Sequence, residues 1–343
     1  HQLDMTSQNL HVTRELEPGL WREFLLNNPQ ANIFHTPEMF RVFSRAARYR
    51  PTCWATVDAA GAPLALLMPV EVSVLDGPLR LLSSRAVAYG GALCECSARG
   101  RQALADLLQE YCRHPQWASV FTELRHQSDA TALQPVLESA GFHQEGHLNY
   151  LIDLTQSEDV LWQRVHRSGR NYIRAAEKKG VIIVEATKEA EVDAGYEILR
   201  TIYTRTRVPL ADRSLFMTAF RELAPIGMLK IFLAQHQGQT VGAVFNLHYK
   251  DCIFGWYGGA DRTFHGLPIN EALVWHIIRW GHEHGMATLD FGGAGKPGVP
   301  YGPRDFKAKF GGELVNYGRS TCVHAPWRLR IAEAGYELRR HFA

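Results

Sequence analysis

The segment Leu229–Gly312 admits few folds, because its strands, turns and single helix are marked in a fixed order. Leu229–Gln235 reads as a strand, His236-Gln-Gly238-Gln as a tight turn, and Thr240–Tyr249 as the returning strand. Cys252–Gly259 supplies a third strand. The spacing then predicts a helix from about Pro268 to His284. Proline stands in its first turn, where no amide hydrogen is needed, and Gly285 lies just past its end. A short apolar strand, Ala287–Phe291, stops in Gly292-Gly293. A loop rich in Gly and Pro runs on to Phe306-Lys-Ala-Lys-Phe-Gly-Gly.

A hairpin, a third strand, a helix and a further strand is the core order of an acetyltransferase-like (GNAT) fold. The rest of the chain reads as a partner to that block. At 343 residues the chain is long for one core and suits two domains. An apolar content of 46% is enough to fill both. The net charge of +2 excludes a chain that coats nucleic acid over its whole surface, so any basic contact must be local. Six cysteines, at 53, 94, 96, 112, 252 and 322, form no CxxC pair and read as reduced thiols in a cytoplasmic protein. No apolar run reaches membrane-spanning length, and no signal peptide is legible.

Upstream, Glu17–Leu26 reads as a helix. Thr36 and Pro37 open a second one, which carries Arg41, Arg45 and Arg48. Strands are expected at Thr52–Val57 and Pro63–Val74, around the turn Asp58–Gly61. After a turn at Asp76-Gly77-Pro78 come short strands at Leu79–Ser83 and Ala86–Tyr89. An amphipathic helix, Arg99–Arg113, and a strand, Ala118–Leu124, follow. This order repeats that of Leu229–Phe291. Thr56–Leu66 resembles Leu233–Ala243, Ala103-Leu104 matches Ala272-Leu273, and Glu123 and Asp290 end corresponding strands. The fold expected is therefore α/β, a tandem of two GNAT-like domains with mixed central sheets. Residues 5–150 with a C-terminal helix, 326–343, form the first domain, and residues 151–325 the second. Between the two repeats, Ser157–Lys179 reads as one helical region ended by Gly180, with a strand at Val181–Glu185. Helices at Ala190–Arg205 and Ser214–Leu223 follow.

One series of residues points to a family. Arg170-x-x-x-Arg174-Ala-Ala-Glu177-Lys178-x-Gly180 is followed by Thr204-x-Thr206-Arg207 and by a helix opened at Pro268 that carries Trp275. Then come Gly285-x-x-x-Leu-Asp290-Phe-Gly and Phe306-Lys307-x-x-Phe-Gly-Gly. Over Leu161–Gly312 this resembles the Fem family of peptidoglycan-bridge aminoacyltransferases and its FemAB-like relatives. Over the first domain the resemblance rests on layout. The resemblance implies two GNAT-like domains. It implies an aminoacyl group moved from aminoacyl-tRNA to an amine of a peptidoglycan precursor, with no cofactor. The long helical arm of some larger members has no place here.

The resemblance also implies roles. Aminoacyl transfer starts from an activated ester, so the protein must align the amine, take its proton and stabilise an oxyanion. Lys307, preceded by Phe306, matches the lysine near the acyl-transfer centre; its alternative is a solvated loop lysine. Arg207 matches an arginine that holds a nucleotide-sugar diphosphate, a task suited to a guanidinium fork; its alternative is a surface helix end. Apart from the resemblance, Arg41 or Arg45 could give a second phosphate contact from the first domain. Tyr257 ends the third strand and could donate to a carbonyl or fill the core. Asp290 could accept the amine proton or bond the amides of Gly292-Gly293. Glu123 takes the corresponding place in the first domain, with Arg125 on the same strand face. The basic run Arg164–Lys179 could track tRNA or be a solvated face.

Arg262–Pro268 does not fit the Arg/Gln-x-x-Gly-x-Gly/Ala loop of ordinary acetyl-CoA enzymes. The histidines show no metal-ligand spacing. Two alternatives to the Fem reading stay open. One is an N-acyltransferase taking acyl-CoA or another thioester to a small amine. The other is a catalytically silent GNAT-like binding module.

Overall fold

A computed structural model describes residues 10–73, 84–114, 119–264, 266–328 and 330 of the chain. The chain falls into two units: His1–Gly146 with Tyr317–Ala343, and the contiguous His147–Asn316.

In the first unit, β1 (His11–Thr13), α1 (Pro18–Asn27) and α2 (Pro37–Arg45) precede β2 (Tyr49–Pro51), β3 (Trp54–Val57), β4 (Pro63–Leu67) and β5 (Val70–Val72). Then come β6 (Arg85–Ala88), β7 (Ala92–Cys94), α3 (Ala98–Arg113), β8 (Phe121–Arg125), α4 (Gln134–Ser139) and β9 (His143–Glu145). The last strand, β17 (Arg319–Val323), joins from the far end of the chain. Thr36 caps α2 as expected, its hydroxyl accepting the Met39 amide at 3.1 Å. Arg48 lies beyond that helix, with φ +69°. Leu104, Leu107, Leu108 and Tyr111 are the buried face of α3. The expected strand Pro63–Val74 is two strands, because Pro69 brings no amide hydrogen to the ladder. With Gly91 at φ +81° between β6 and β7, the strands divide into two sheets, ordered β1-β3-β4-β7 and β2-β5-β6-β8-β17-β9. The turn at 76–78, the strand at 79–83 and most of the helix at 326–343 lie outside the described residues.

The second unit contains β10 (Leu148–Asp153), α5 (Glu158–Arg164), α6 (Arg167–Lys178), β11 (Ile182–Glu185), α7 (Glu189–Thr206) and α8 (Arg213–Leu223). It continues with β12 (Leu229–His236), β13 (Gln239–Tyr249), β14 (Cys252–Ala260), α9 (Ile269–Glu283), β15 (Thr288–Gly293), α10 (Gly302–Ala308) and β16 (Glu313–Asn316). One sheet, β11-β12-β13-β14-β15-β10-β16, runs through it, antiparallel except for β14 beside β15. The helical run expected at Ser157–Lys179 breaks at His166, whose amide donates to the Lys309 carbonyl at 2.6 Å. Leu161, Ile173, Phe232, Leu273, Ile277 and Ile278 fill a core under α9.

Both units follow the tandem order expected from the sequence. In the second unit a hairpin leads to β14, a helix, and β15 parallel to β14; in the first unit β6 is parallel to β8, with β7 as well as the helix α3 between them in the chain. Beside those parallel pairs sit β17 in the first unit and β10 in the second, with β9 and β16 outermost. The chain thus passes from β9 into the second sheet as β10, and from β16 back into the first as β17. The domain limits expected at 150 and 325 change accordingly: residues 147–150 belong with the second sheet and β17 with the first. Residues 147–316, expressed alone, are expected to melt cooperatively, whereas residues 1–146, which lack β17, are not. Circular dichroism melts of the two fragments check this, and a non-cooperative 147–316 fragment would contradict it.

Candidate active site

The parallel ladder between β14 and β15 has three rungs, Cys252–Thr288, Ile253–Leu289 and Phe254–Asp290, and then stops. One residue further along β14 the pairing with β13 shifts from Gly255–Asn246 to Tyr257–Phe245, leaving Trp256 as a bulge. A bulge bends its strand, and here it carries β14 away from β15. The strands part at Asp290.

Asp290 is 4% exposed, and its environment is built from three elements. The side-chain amide of Asn149 in β10 donates to both carboxylate oxygens at 3.2 Å. The Gly292 amide donates to Oδ1 at 2.7 Å, which realises the expected backbone bond. Burial raises the carboxyl pKa from 3.8 to about 6, against the Gly292 amide, the Asn149 amide and the nearby Lys307 charge.

Lys307 is not on a loop projecting outward. Its stretch forms the short helix α10, and its Nζ turns back to the end of β15. There it donates to the carbonyls of Phe291 and Gly293 at 2.7 Å each and of Gly292 at 3.4 Å. Gly292, at φ +72°, gives the chain the turn that aims these carbonyls at one point. Burial lowers the Lys307 pKa from 10.5 to about 8, and the Asp290 charge pulls it back up. One turn earlier, Arg304 donates to the carbonyls of Ala294 and Lys296 at 2.7 and 2.6 Å. Two cations of α10 therefore fix the loop that follows β15. Phe306 packs edge-on against Phe310, with centroids 5.5 Å apart. Lys309 pairs with Glu271 at 3.3 Å over the rings of Tyr172 and Phe306.

Tyr257 lies past the bulge, where its ring meets Phe216 at 4.9 Å and Tyr203 at 6.1 Å. Tyr203 belongs to the last turns of α7, and Arg207 caps that helix in the left-handed conformation, φ +55°. Arg207 is exposed beside Val208. The fold thus brings together Asp290 with Lys307, and Tyr257 with the end of α7 that carries Arg207.

In the first unit one expectation is corrected. The last rung of its parallel ladder is Ala88–Leu124, so the counterpart of Asp290 is Leu124, a fully buried leucine. Glu123 is one residue out of phase, and its side chain points to the opposite face. There its carboxylate accepts Arg125 at 2.5 Å and Arg319 at 3.5 Å, and Arg125 lies over the Tyr89 ring. Burial pushes the Glu123 carboxyl up, and Arg125, Arg319 and Arg85 together bring it below the usual range. Arg41 and Arg45 lie on α2, with Arg41 3.6 Å from Glu38, which also holds Arg22 at 2.6 Å.

The basic run Arg164–Lys179 is partly committed within its own unit. Arg170 donates to the carbonyls of Trp162, Gln163 and Val165, Arg174 lies over Trp162, and Lys179 bonds the Gly266 carbonyl. Arg164, Arg167 and Lys178 are exposed. Asn149 and Arg304 were not legible as site residues. Asn149 sits where the domains were expected to join, with nothing in the sequence to mark it as a strand beside Asp290. No described helix is long and apolar enough to cross a membrane.

Fold and site together define a class, a GNAT-type acyltransferase with the unit doubled. Residues 163–308 match the Acetyltransferase (GNAT) domain family. The chain is similar to the crystal structure of FemX, with a TM-score of 0.72 and 14% identity, covering 94% of this chain and 100% of that one. It is similar to a C-terminal domain assigned to a lysylphosphatidylglycerol synthetase of Agrobacterium fabrum, with a TM-score of 0.60 and 12% identity over 92% of this chain and 95% of that one. A tandem GNAT protein of the clavulanic acid biosynthesis pathway gives a TM-score of 0.58 and 12% identity, covering 93% and 99%. At these identities the likeness is one of fold. A search of curated protein sequences finds no match.

Proposed function

We propose that the second unit transfers an aminoacyl group to an amine, with Asp290 and Lys307 as its reacting pair. One observation carries this reading: a buried carboxylate and a half-buried lysine, near enough for each to feel the other's charge, lie where β14 and β15 part. The amine attacks the carbonyl carbon of an activated ester, and Asp290 takes the proton that the amine loses, directly or through water. The three Nζ protons of Lys307 are given to carbonyls, so the lysine acts on the oxyanion through its charge and holds the loop beside it. Tyr257 and its aromatic neighbours Phe216 and Trp256 stand past the bulge on the same strand. The first unit, with Leu124 in place of the carboxylate, serves binding.

The resemblance of Leu161–Gly312 to the Fem family favours aminoacyl-tRNA as donor and a peptidoglycan precursor as acceptor, with tRNA following the exposed cations of Arg164–Lys179. The neighbour assigned as a lysylphosphatidylglycerol synthetase points to the same class of transfer. A second reading, acyl-CoA as donor to a small amine, is favoured by the GNAT-domain match. Calorimetry with acyl-CoA and with a UDP-linked muramyl peptide separates the two. Binding of the muramyl peptide without acyl-CoA supports the first reading, and the reverse overturns it. Arg207→Ala is expected to weaken the muramyl peptide by about 1.5–3 kcal/mol, as befits a charge-assisted hydrogen bond. Unchanged affinity in a folded variant removes Arg207 from the site.

A further inference from the structure

Two cysteines lie where the first unit closes on itself. Cys112 is on α3, one residue after Tyr111, and Cys322 is on β17, in register with Thr122 of β8. The Tyr111 hydroxyl and Thr122 Oγ1 are 2.7 Å apart, and Thr122 Oγ1 is 2.7 Å from Nε2 of His324. This relay fixes α3 over β8 and over the segment that follows β17. Both sulfurs face the same short turn after α4. Cys112 Sγ donates to the Ala140 carbonyl at 3.6 Å, and a Cβ built on the next residue, Gly141, would stand 3.8 Å from Cys322 Sγ. Each thiol lies close enough to shift the other's ionisation, and both are free. Cys322 is buried in the core, and Cys112 is half-buried against it. The acyl-transfer reading uses neither.

We propose that Cys112 and Cys322 form a reversible disulfide, with a small-molecule disulfide such as oxidised glutathione as the oxidant. The link would join α3 to the one strand that reaches the first unit only after the chain has crossed the whole second unit. Cys112, the more accessible sulfur, attacks the small disulfide, expels one glutathione thiolate and becomes a mixed disulfide. Cys322 then attacks the Cys112 sulfur and expels the second glutathione. One S–S bond breaks and one forms. The two thiol hydrogens leave through His324 and solvent and end on two molecules of glutathione. In the mixed disulfide Cys112 has no hydrogen left to donate, and His324 and His143 remain beside the Cys322 thiol to favour its thiolate against burial. Closing so long a loop restricts the unfolded chain, which is the main source of a disulfide's stabilisation in the chain-entropy account.

The test uses the full chain, equilibrated near neutral pH in glutathione buffers from reducing to oxidising. Free thiols are alkylated, the chain is digested without reductant, and the peptides are weighed. The expected result is a peptide pair linked through 112 and 322 that grows as the buffer oxidises and disappears with dithiothreitol. It should form under more reducing conditions than any glutathione adduct on the exposed Cys96. The oxidised chain should melt several degrees above the reduced one. Cys112→Ser and Cys322→Ser should each abolish both the linked pair and the shift. If a serine variant fails to fold, the wild-type titration decides alone. Thiols at 112 and 322 that stay alkylated at every ratio would overturn the proposal. So would a glutathione adduct on Cys112 that Cys322 never displaces, or a link that forms only after denaturation.

Discussion

Replacing Asp290 with asparagine is expected to lower turnover by about 10²–10⁴-fold, the range for a lost general base, while the fold persists. The same variant has a signature in stability. Because burial raises the Asp290 pKa from 3.8 to about 6, the folded chain holds a proton there that the unfolded chain has released between those values. Folding stability therefore falls as pH rises from about 4 to about 6, by roughly 3 kcal/mol from this group at 1.36 kcal/mol per pKa unit. The asparagine variant carries no such proton, so its melting temperature should lack that part of the pH dependence. Asn149→Ala removes the amide that holds both carboxylate oxygens and should also depress turnover, with a smaller effect. Turnover within a few-fold of wild type in a folded Asp290→Asn chain would exclude Asp290 from the reaction.

The second large effect is expected at Lys307. Lys307→Met keeps the length and removes the charge, and it should lower turnover on the order of a hundredfold or more. It also strips the donor from three backbone carbonyls at the partly exposed end of β15, so the variant should melt at a lower temperature. Lys309→Met breaks the pair with Glu271 and the contacts with the rings of Tyr172 and Phe306, and should leave turnover within a few-fold. Reaction needs Asp290 deprotonated and Lys307 protonated. The turnover profile should therefore rise through about pH 6, fall through about pH 8, and lose one limb in each variant. Equal losses in Lys307→Met and Lys309→Met, or a profile flat across both limits, would refute the pair.

The sequence reached the pair without its geometry. Lys307 was legible from a family pattern, Phe306-Lys307 before Phe310-Gly-Gly, and Asp290 from its place at a strand end. Neither pattern says that the lysine turns back to the carbonyls of Phe291 and Gly293. That depends on α10 folding as a helix and on Gly292 adopting a positive φ. Glu123 was aligned with Asp290 by counting residues. A count cannot resolve a slip of one, which in a strand moves a side chain to the other face.

By itself the sequence determined the doubled α/β order, the hairpin of β12 and β13, helix α9 with its proline entry and glycine exit, and the caps at Thr36 and Gly180. These features are local, set by alternation, helical spacing and turn residues within a few positions of one another. Only the tertiary structure decided the places of β10 and β17. Each is adjacent in sequence to a strand of one unit and paired into the sheet of the other. Strand pairing across more than a hundred residues leaves no periodicity in the chain, so Asn149 beside Asp290, and Cys322 beside Cys112, emerge only once the sheets have formed.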